Sequence, residues 1–315
     1  MKNYCFGIDI GGTSVKCGLF DVQGEVLEKW EIKTRVEDNG AYILPDIAAS
    51  INHKISEKQL NRAEIAGVGI GVPGPVDEAG VVLRAVNLHW GRVQLQDRME
   101  HMVDLPVRAG NDANVAALGE MWKGGGTGYH NVVMVTLGTG VGGGVIINGQ
   151  VVAGTHGAGG EIGHIHVGED IPGICNCGKK GCLEQVASAT GIVRLANQYL
   201  SASEKPSLLR ERKISAKVVF DAVKAGDDLA VEIAECFGKY LGKALSVIAG
   251  VVDPEAFVIG GGVSKAGPVL LEFIQKYYRE YAFSACKEAV FTLAELGNDA
   301  GIYGAAKLVL FTDEK

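Results

Sequence analysis

The sequence predicts an α/β protein in which one α/β unit occurs twice. Two stretches carry this reading. Apolar runs at 4–10 and 132–136 each end in a glycine-rich turn, and each continues into a second strand, a tight turn and a third strand. Both halves then proceed as alternating helices and strands. The corresponding glycines keep their spacing: Gly11 and Gly138 are 127 residues apart, and Gly24 and Gly149 are 125 apart. A chain of 315 residues is long for one core, so two domains are expected.

In the first half, residues 4–10 form a strand ending near Asp9, Gly11-Gly12-Thr13 make the turn, and 15–20 form the second strand. Asp21-Val22-Gln23-Gly24 turns the chain into a third strand at 25–32. Residues 41–56 have helical spacing, and 65–72 read as a buried strand closed by Pro73-Gly74-Pro75. A strand at 107–111 leads into a helix at 113–123, which places Asp112 at a helix N-terminus. The domain boundary is expected between Asn114 and Gly128, where Lys123-Gly-Gly-Gly-Thr-Gly reads as a flexible surface turn.

The second half repeats the meander at 132–136, 143–147 and 150–152, with turns at Leu137-Gly138-Thr139-Gly140 and Asn148-Gly149. Helices are expected at 189–200, 215–225 and 229–251, then a short strand at 257–259 running into Gly260-Gly261-Gly262. Helices at 268–281 and 299–311 complete the chain, the last packing back on the first domain. The expected domains are 1–113 with about 299–315, and 114–298.

Composition narrows the function. A net charge of -7 argues against non-specific nucleic-acid binding. The longest apolar stretch, 244–252, is too short to cross a bilayer. The seven cysteines are odd in number, and residues 1–7 hold no apolar signal-peptide run, so a reducing cytoplasm is expected.

Two sets of residues carry chemistry. Cys175, Cys177 and Cys182, with His164 or His166, fall within 19 residues counted from His164. Three thiols and an imidazole form a closed, soft set that suits structural Zn2+. Glu161 and Glu184 flank the cluster and suggest that a polar ligand is gripped there. The two hairpin turns form the second set. Asp9, Gly11, Gly12 and Thr13 in one, with Gly138, Thr139 and Gly140 in the other, place small residues where backbone N–H groups can converge on an anion. Lys16 adds a positive charge and Asp9 a carboxylate for Mg2+ or its waters. The stretches starting at Gly69, Gly138 and Gly173 resemble nucleotide-binding glycine motifs, but they run into prolines, into a strand, or into the thiol cluster.

Taken in order, Asp9-Ile-Gly-Gly-Thr13, Pro73-Gly74-Pro75, Asn111-Asp112-Ala-Asn114, the turn at 138–144, Glu161-Ile-Gly-His164 and the knot at 175–184 resemble the ROK family of sugar kinases. The resemblance runs from Tyr4 to about Phe311. It implies an actin-like ATPase (ribonuclease H-like) fold, with two duplicated α/β domains around a cleft. The implied activity is ATP-dependent phosphorylation of the 6-hydroxyl of a hexose, most often glucose. N-acetylmannosamine, fructose or allose are alternative acceptors, and polyphosphate is an alternative donor. A sugar-sensing regulator without catalysis is the alternative of another class. The helix-turn-helix of the family's repressors is not expected, because the first hairpin begins at once. Carried over residue by residue, Asp112 is the base, while Asn111, Asp112, Glu161, His164 and Glu184 hold the sugar. Gly74 and Asn87 join them, and Gly261 and Gly262 receive adenosine. The spacer from His164 to Cys175 is one residue longer than the family pattern, which keeps His166 open as a metal ligand. A homodimer or larger assembly is implied.

Overall fold

A computed structural model describes residues 2–310. Met1 and residues 311–315 lie outside it, including Phe311 at the end of the expected last helix. The described chain divides into two compact units. The first takes residues up to Gly128, Gly144–Gly160, and those from Leu296 onward; the second takes Tyr129–Gly143 and Glu161–Glu295. The chain therefore passes from one unit to the other four times, where the expected division has two crossings.

The first unit opens with β1 (Tyr4–Ile10), β2 (Ser14–Asp21) and β3 (Val26–Lys33). A helical turn α1 (Glu37–Gly40), helix α2 (Ile43–Glu57) and β4 (Ile65–Val72) follow. Next come the two-residue strands β5 (Val81–Val82) and β6 (Val93–Gln94), then α3 (Leu95–Val103), β7 (Val107–Asn111) and α4 (Asp112–Lys123). The sheet order is β3-β2-β1-β4-β7, with β1 parallel to β4 and β4 parallel to β7. All eight residues of β4 are buried, as a central strand covered on both faces requires. The edge strand β3 alternates half-buried and exposed residues, with Glu31 and Lys33 kept to its outer side.

The remaining elements are β8 (Val132–Leu137), β9 (Val141–Ile147), β10 (Gln150–Val151), α5 (Glu184–Ala187), α6 (Ala189–Ala202), α7 (Ala216–Lys224) and α8 (Asp228–Val252). After them come β11 (Ala256–Gly260), α9 (Pro268–Tyr281), β12 (Val290–Leu293) and α10 (Ala300–Leu310). The second sheet runs β10-β9-β8-β11-β12. Counted along the chain, this is the same 3-2-1-4-5 order as the first sheet. The duplication read from the hairpins thus extends to whole sheets.

One face of the first sheet packs its apolar side chains against Ile43, Leu44, Ile47, Ile51 and Ile55 of α2 and Leu95, Met99 and Val103 of α3. These spacings follow the helical period. On the opposite face, Cys5, Phe20 and Ala66 pack against Ile302, Ala306 and Val309 of α10. Contact there is backbone to backbone. A Cβ on Gly69 of β4 would fall 1.6 Å from the Ala305 carbonyl oxygen, and one on Gly304 would fall 1.6 Å from that of Val115 in α4.

The glycine run after Lys123 departs from the flexible turn expected of it. The Gly124 and Gly126 N–H groups donate to the Glu120 carbonyl at 3.0 and 2.9 Å, and the Gly125 N–H donates to Glu120 Oε2 at 3.0 Å. Glu120 is fully buried. A buried carboxylate that accepts backbone N–H groups fixes the turn; glycine serves close packing here rather than mobility.

Candidate active site and metal centre

In the first unit, Asp9 lies on β1 opposite Lys16 of β2. The turn between these strands closes through a Gly11 N–H to Ser14 O bond of 2.9 Å. Thr34 braces it, its hydroxyl donating to Gly11 O at 2.7 Å and its N–H to Thr13 O at 3.1 Å. Gly12 and Thr13 form the exposed tip. Lys16 Nζ donates to the Asn298 carbonyl at 2.8 Å. Burial pushes the Asp9 carboxyl up to about 6, helped by the negative charge of Asp112 and opposed by Lys16. Asp9 and Asp112 are therefore electrostatically coupled. Gly301 of α10 lies against the Asp9 carboxylate, and a Cβ there would sit 2.5 Å from Asp9 Oδ2.

Asn111 ends β7 and caps α4, its Oδ1 accepting from the N–H groups of Ala113 at 3.0 Å and Asn114 at 3.2 Å. Its Nδ2 donates to Gly74 O at 3.1 Å, so two of the expected sugar residues touch. Asp112 is the first residue of α4, and its Oδ1 accepts from the Ala113 N–H at 2.8 Å. The helix N-terminus favours the charged carboxylate. Asn87 sits in the 3-10 turn Val86–Leu88, with its Cβ 3.6 Å from the place a Cβ on Gly12 would take. It is exposed.

In the second unit, the turn after β8 closes through a Gly138 N–H to Gly140 O bond of 3.0 Å. Helix α6 begins against it. The Ala189 N–H donates to Gly138 O at 2.8 Å, and Thr190 Oγ1 donates to Thr139 O at 2.9 Å. The positive end of a 14-residue helix thus adjoins the turn, an arrangement that favours anions. Gly261 approaches the same place from β11. Its φ is +83°, and a Cβ would lie 2.5 Å from Leu137 O. Gly262 starts the following 3-10 turn.

The thiol cluster forms as a group. One donor atom from each of His164, Cys175, Cys177 and Cys182 lies within 4.8 Å of the others. His164 Nδ1 is 3.6 Å from Cys175 Sγ, and Cys177 Sγ is 3.6 Å from Cys182 Sγ. These are near the edge length of a tetrahedron whose metal–sulfur bonds are about 2.3 Å. His166 points elsewhere: Nδ1 is 3.2 Å from Lys180 O and Nε2 is 3.2 Å from Glu169 Oε1. A short ladder frames the cluster, with the Val167 N–H on Gly181 O and the Leu183 N–H on Ile165 O. The buried Gln185 braces it further. Its Oε1 accepts from the Cys182 N–H at 3.1 Å, and its Nε2 donates to Gly173 O at 3.2 Å. Burial pushes the Cys182 thiol up to about 12, while the Lys179 backbone N–H lowers that of exposed Cys177.

Glu184 joins the cluster to the glycine turn. Its Oε2 accepts from the Val141 N–H at 3.1 Å, and its Oε1 lies 3.7 Å from Cys175 Sγ. Glu161 Oε2 is 3.9 Å from His164 Nε2. Sequence reasoning did not single out Gly301, Thr34, Gln185 or Thr190. Only Gln185 carried a signal, as the neighbour of Glu184.

The profile of the ROK family matches residues 5–311. The chain belongs to the ROK family. It is 43% identical to a glucokinase of Halalkalibacterium halodurans over 96% of this chain and 94% of the relative. A glucokinase of Thermotoga maritima is 37% identical over 96% of both chains. Among solved structures, a ROK family glucokinase from Streptomyces griseus in complex with glucose and AMPPNP aligns with TM-score 0.71 and 35% identity. That alignment covers 97% of this chain and 98% of the other. The two five-stranded sheets are those of the ROK sugar kinases, the actin-like ATPase fold.

Proposed function

We propose that this chain is an ATP-dependent hexose kinase that transfers the γ-phosphoryl group to the 6-hydroxyl of glucose. The observation that carries the reading is Asp112 at the first position of α4, electrostatically coupled to the half-buried Asp9 beside the first hairpin turn. Phosphoryl transfer needs an acceptor hydroxyl in line, charge neutralisation and a base for one proton. Asp112 takes that proton. Asn111 spends its Oδ1 on capping α4, which holds Asp112 at the helix end.

In this reading, the turns at Gly11–Thr13 and Gly138–Gly140 offer N–H groups to phosphate, and Lys16 adds positive charge. Asp9 would hold Mg2+ or its waters, and the ion would neutralise phosphate charge. The Gly261–Gly262 turn receives adenosine. Asn111, Glu161, His164, Glu184, Asn87 and the Gly74 backbone grip the hexose. Zn2+ fits the Cys175, Cys177, Cys182 and His164 donors and supplies structure rather than chemistry. Glu184 Oε1, beside Cys175 Sγ, accepts from a sugar hydroxyl. An ATP-using enzyme with a thiol-held metal belongs in the reducing cytoplasm, and the resemblance implies a homodimer or larger.

Release of ADP on a panel of hexoses tests the reaction directly. Glucose is expected to give the highest kcat/KM, and absence of turnover on every hexose would reject the reading. Replacing Asp112 by Ala is expected to lower kcat by about 10²–10⁴-fold, while calorimetry still detects glucose binding. Residual turnover near the parent rate removes Asp112 from the base role.

A further inference from the structure

Asn114 lies one residue beyond Ala113 on α4 and is 3% exposed. Its Nδ2 donates to the Gly159 carbonyl at 3.4 Å, and its backbone N–H is held by Asn111 Oδ1 at 3.2 Å. Its own Oδ1 is buried without a donor among the described residues. Burying an amide oxygen without a donor is unfavourable, and an apolar residue would fill the position without that cost. Asn114 also borders a cavity of about 160 Å³, together with Asn111, Val76, Arg108 and Gly157. At about 30 Å³ per molecule, the cavity has room for water to satisfy Oδ1.

The partner of this side chain is a closed loop. The Gly159 N–H returns to Ala153 O at 2.7 Å, and the Gly157 N–H donates to Gly154 O at 3.1 Å. Gly157 packs so tightly on the Val76 backbone that a Cβ would lie 2.9 Å from Val76 O. Two residues beyond Gly159 along the chain is Glu161.

We propose that Asn114 is a positioning residue for the hexose: its amide ties the loop that leads into Glu161 to the helix that begins with Asp112. The inference rests on the hexose-kinase reading, in which Glu161 binds sugar and Asp112 takes the proton. The tether acts on substrate affinity, since it touches neither the phosphate turns nor the reacting atoms. An Asn at this buried position thereby gains a use that capping by Asn111 does not supply.

The test combines hydrogen exchange on ligand-free protein with steady-state kinetics on N114A and N114S. In N114A, amides of 152–160 are expected to exchange at least about tenfold faster than in the parent, because the loop opens locally. Amides in the last turns of α4 should be unchanged. KM for glucose should rise about tenfold, with kcat within about threefold and KM for ATP unchanged, the pattern of lost uniform binding. N114S, whose hydroxyl can still donate, should recover part of the loop protection and of the glucose KM. Unchanged exchange at 152–160 overturns the tether, and so does a fall in kcat with glucose KM unaltered. If N114A does not fold, the same exchange comparison on N114S decides. A parent protein that phosphorylates no hexose sinks the kinase reading alone, because loop exchange still reports on the tether.

Discussion

Asp9 sits where its charge is penalised, and that makes it measurable. Its carboxyl is pushed up to about 6 from an ordinary value of 3.8, chiefly by burial and then by Asp112. Between about pH 4 and 6 the folded protein holds a proton that the unfolded chain has released. Stability therefore falls as pH rises through that window, and the cost is complete above it. Asp9→Asn should leave stability near pH 4 unchanged and raise it by roughly 2–3 kcal/mol at pH 7.5. Urea titrations without nucleotide or divalent ions measure this. The same variant should lose most activity. An equal effect at both pH values would mean that the Asp9 charge is not what strains the fold. Most of the candidate site residues were legible from the motifs, because glycine turns, paired carboxylates and clustered thiols each have a chemical reason for their pattern. Gly301 was not legible, since its contact with Asp9 joins residues nearly the whole chain apart.

Among the elements, α10 is the most constrained. It meets β1, β4 and α4 through glycine on both sides, leaving no room for side chains at those contacts. Gly304→Ala puts a methyl group where the Val115 carbonyl lies, and should cost at least about 3 kcal/mol of stability by chemical denaturation. Gly250→Ala on α8 is the control. A Cβ there meets nothing within 4 Å, so helix propensity alone should stabilise by about 0.5–1 kcal/mol. Equal losses at both positions would show that space around α10 is not the limiting factor. Long periodic helices such as α2, α8 and α9 were readable to within about two residues, because burial imposes their period. Helix α3 shows only Leu95, Met99 and Val103 to the core, and β12 has four residues. Signals that short are lost among neighbouring turns and become structure only through tertiary contact.

For the molecule as a whole, the metal cluster and the interleaved chain make separate demands. Metal analysis of the purified protein should find about one zinc per chain, and Cys177→Ser should lose it with a weaker grip on glucose. A parent protein without zinc would remove the metal from the account. The order of the two sheets was foreshadowed by the hairpin spacing, but the interleaving was not. Nothing in the local pattern of 144–160 announces that this segment returns to the first unit. That return, and the late arrival of α10, have a consequence for biosynthesis. Strands β1 and β4 leave the ribosome early, yet the face that packs on α10 lacks that helix until residues 300–310 have been made. The half of the molecule that is made first is finished last, so its exposed apolar face needs shielding while the chain is still growing.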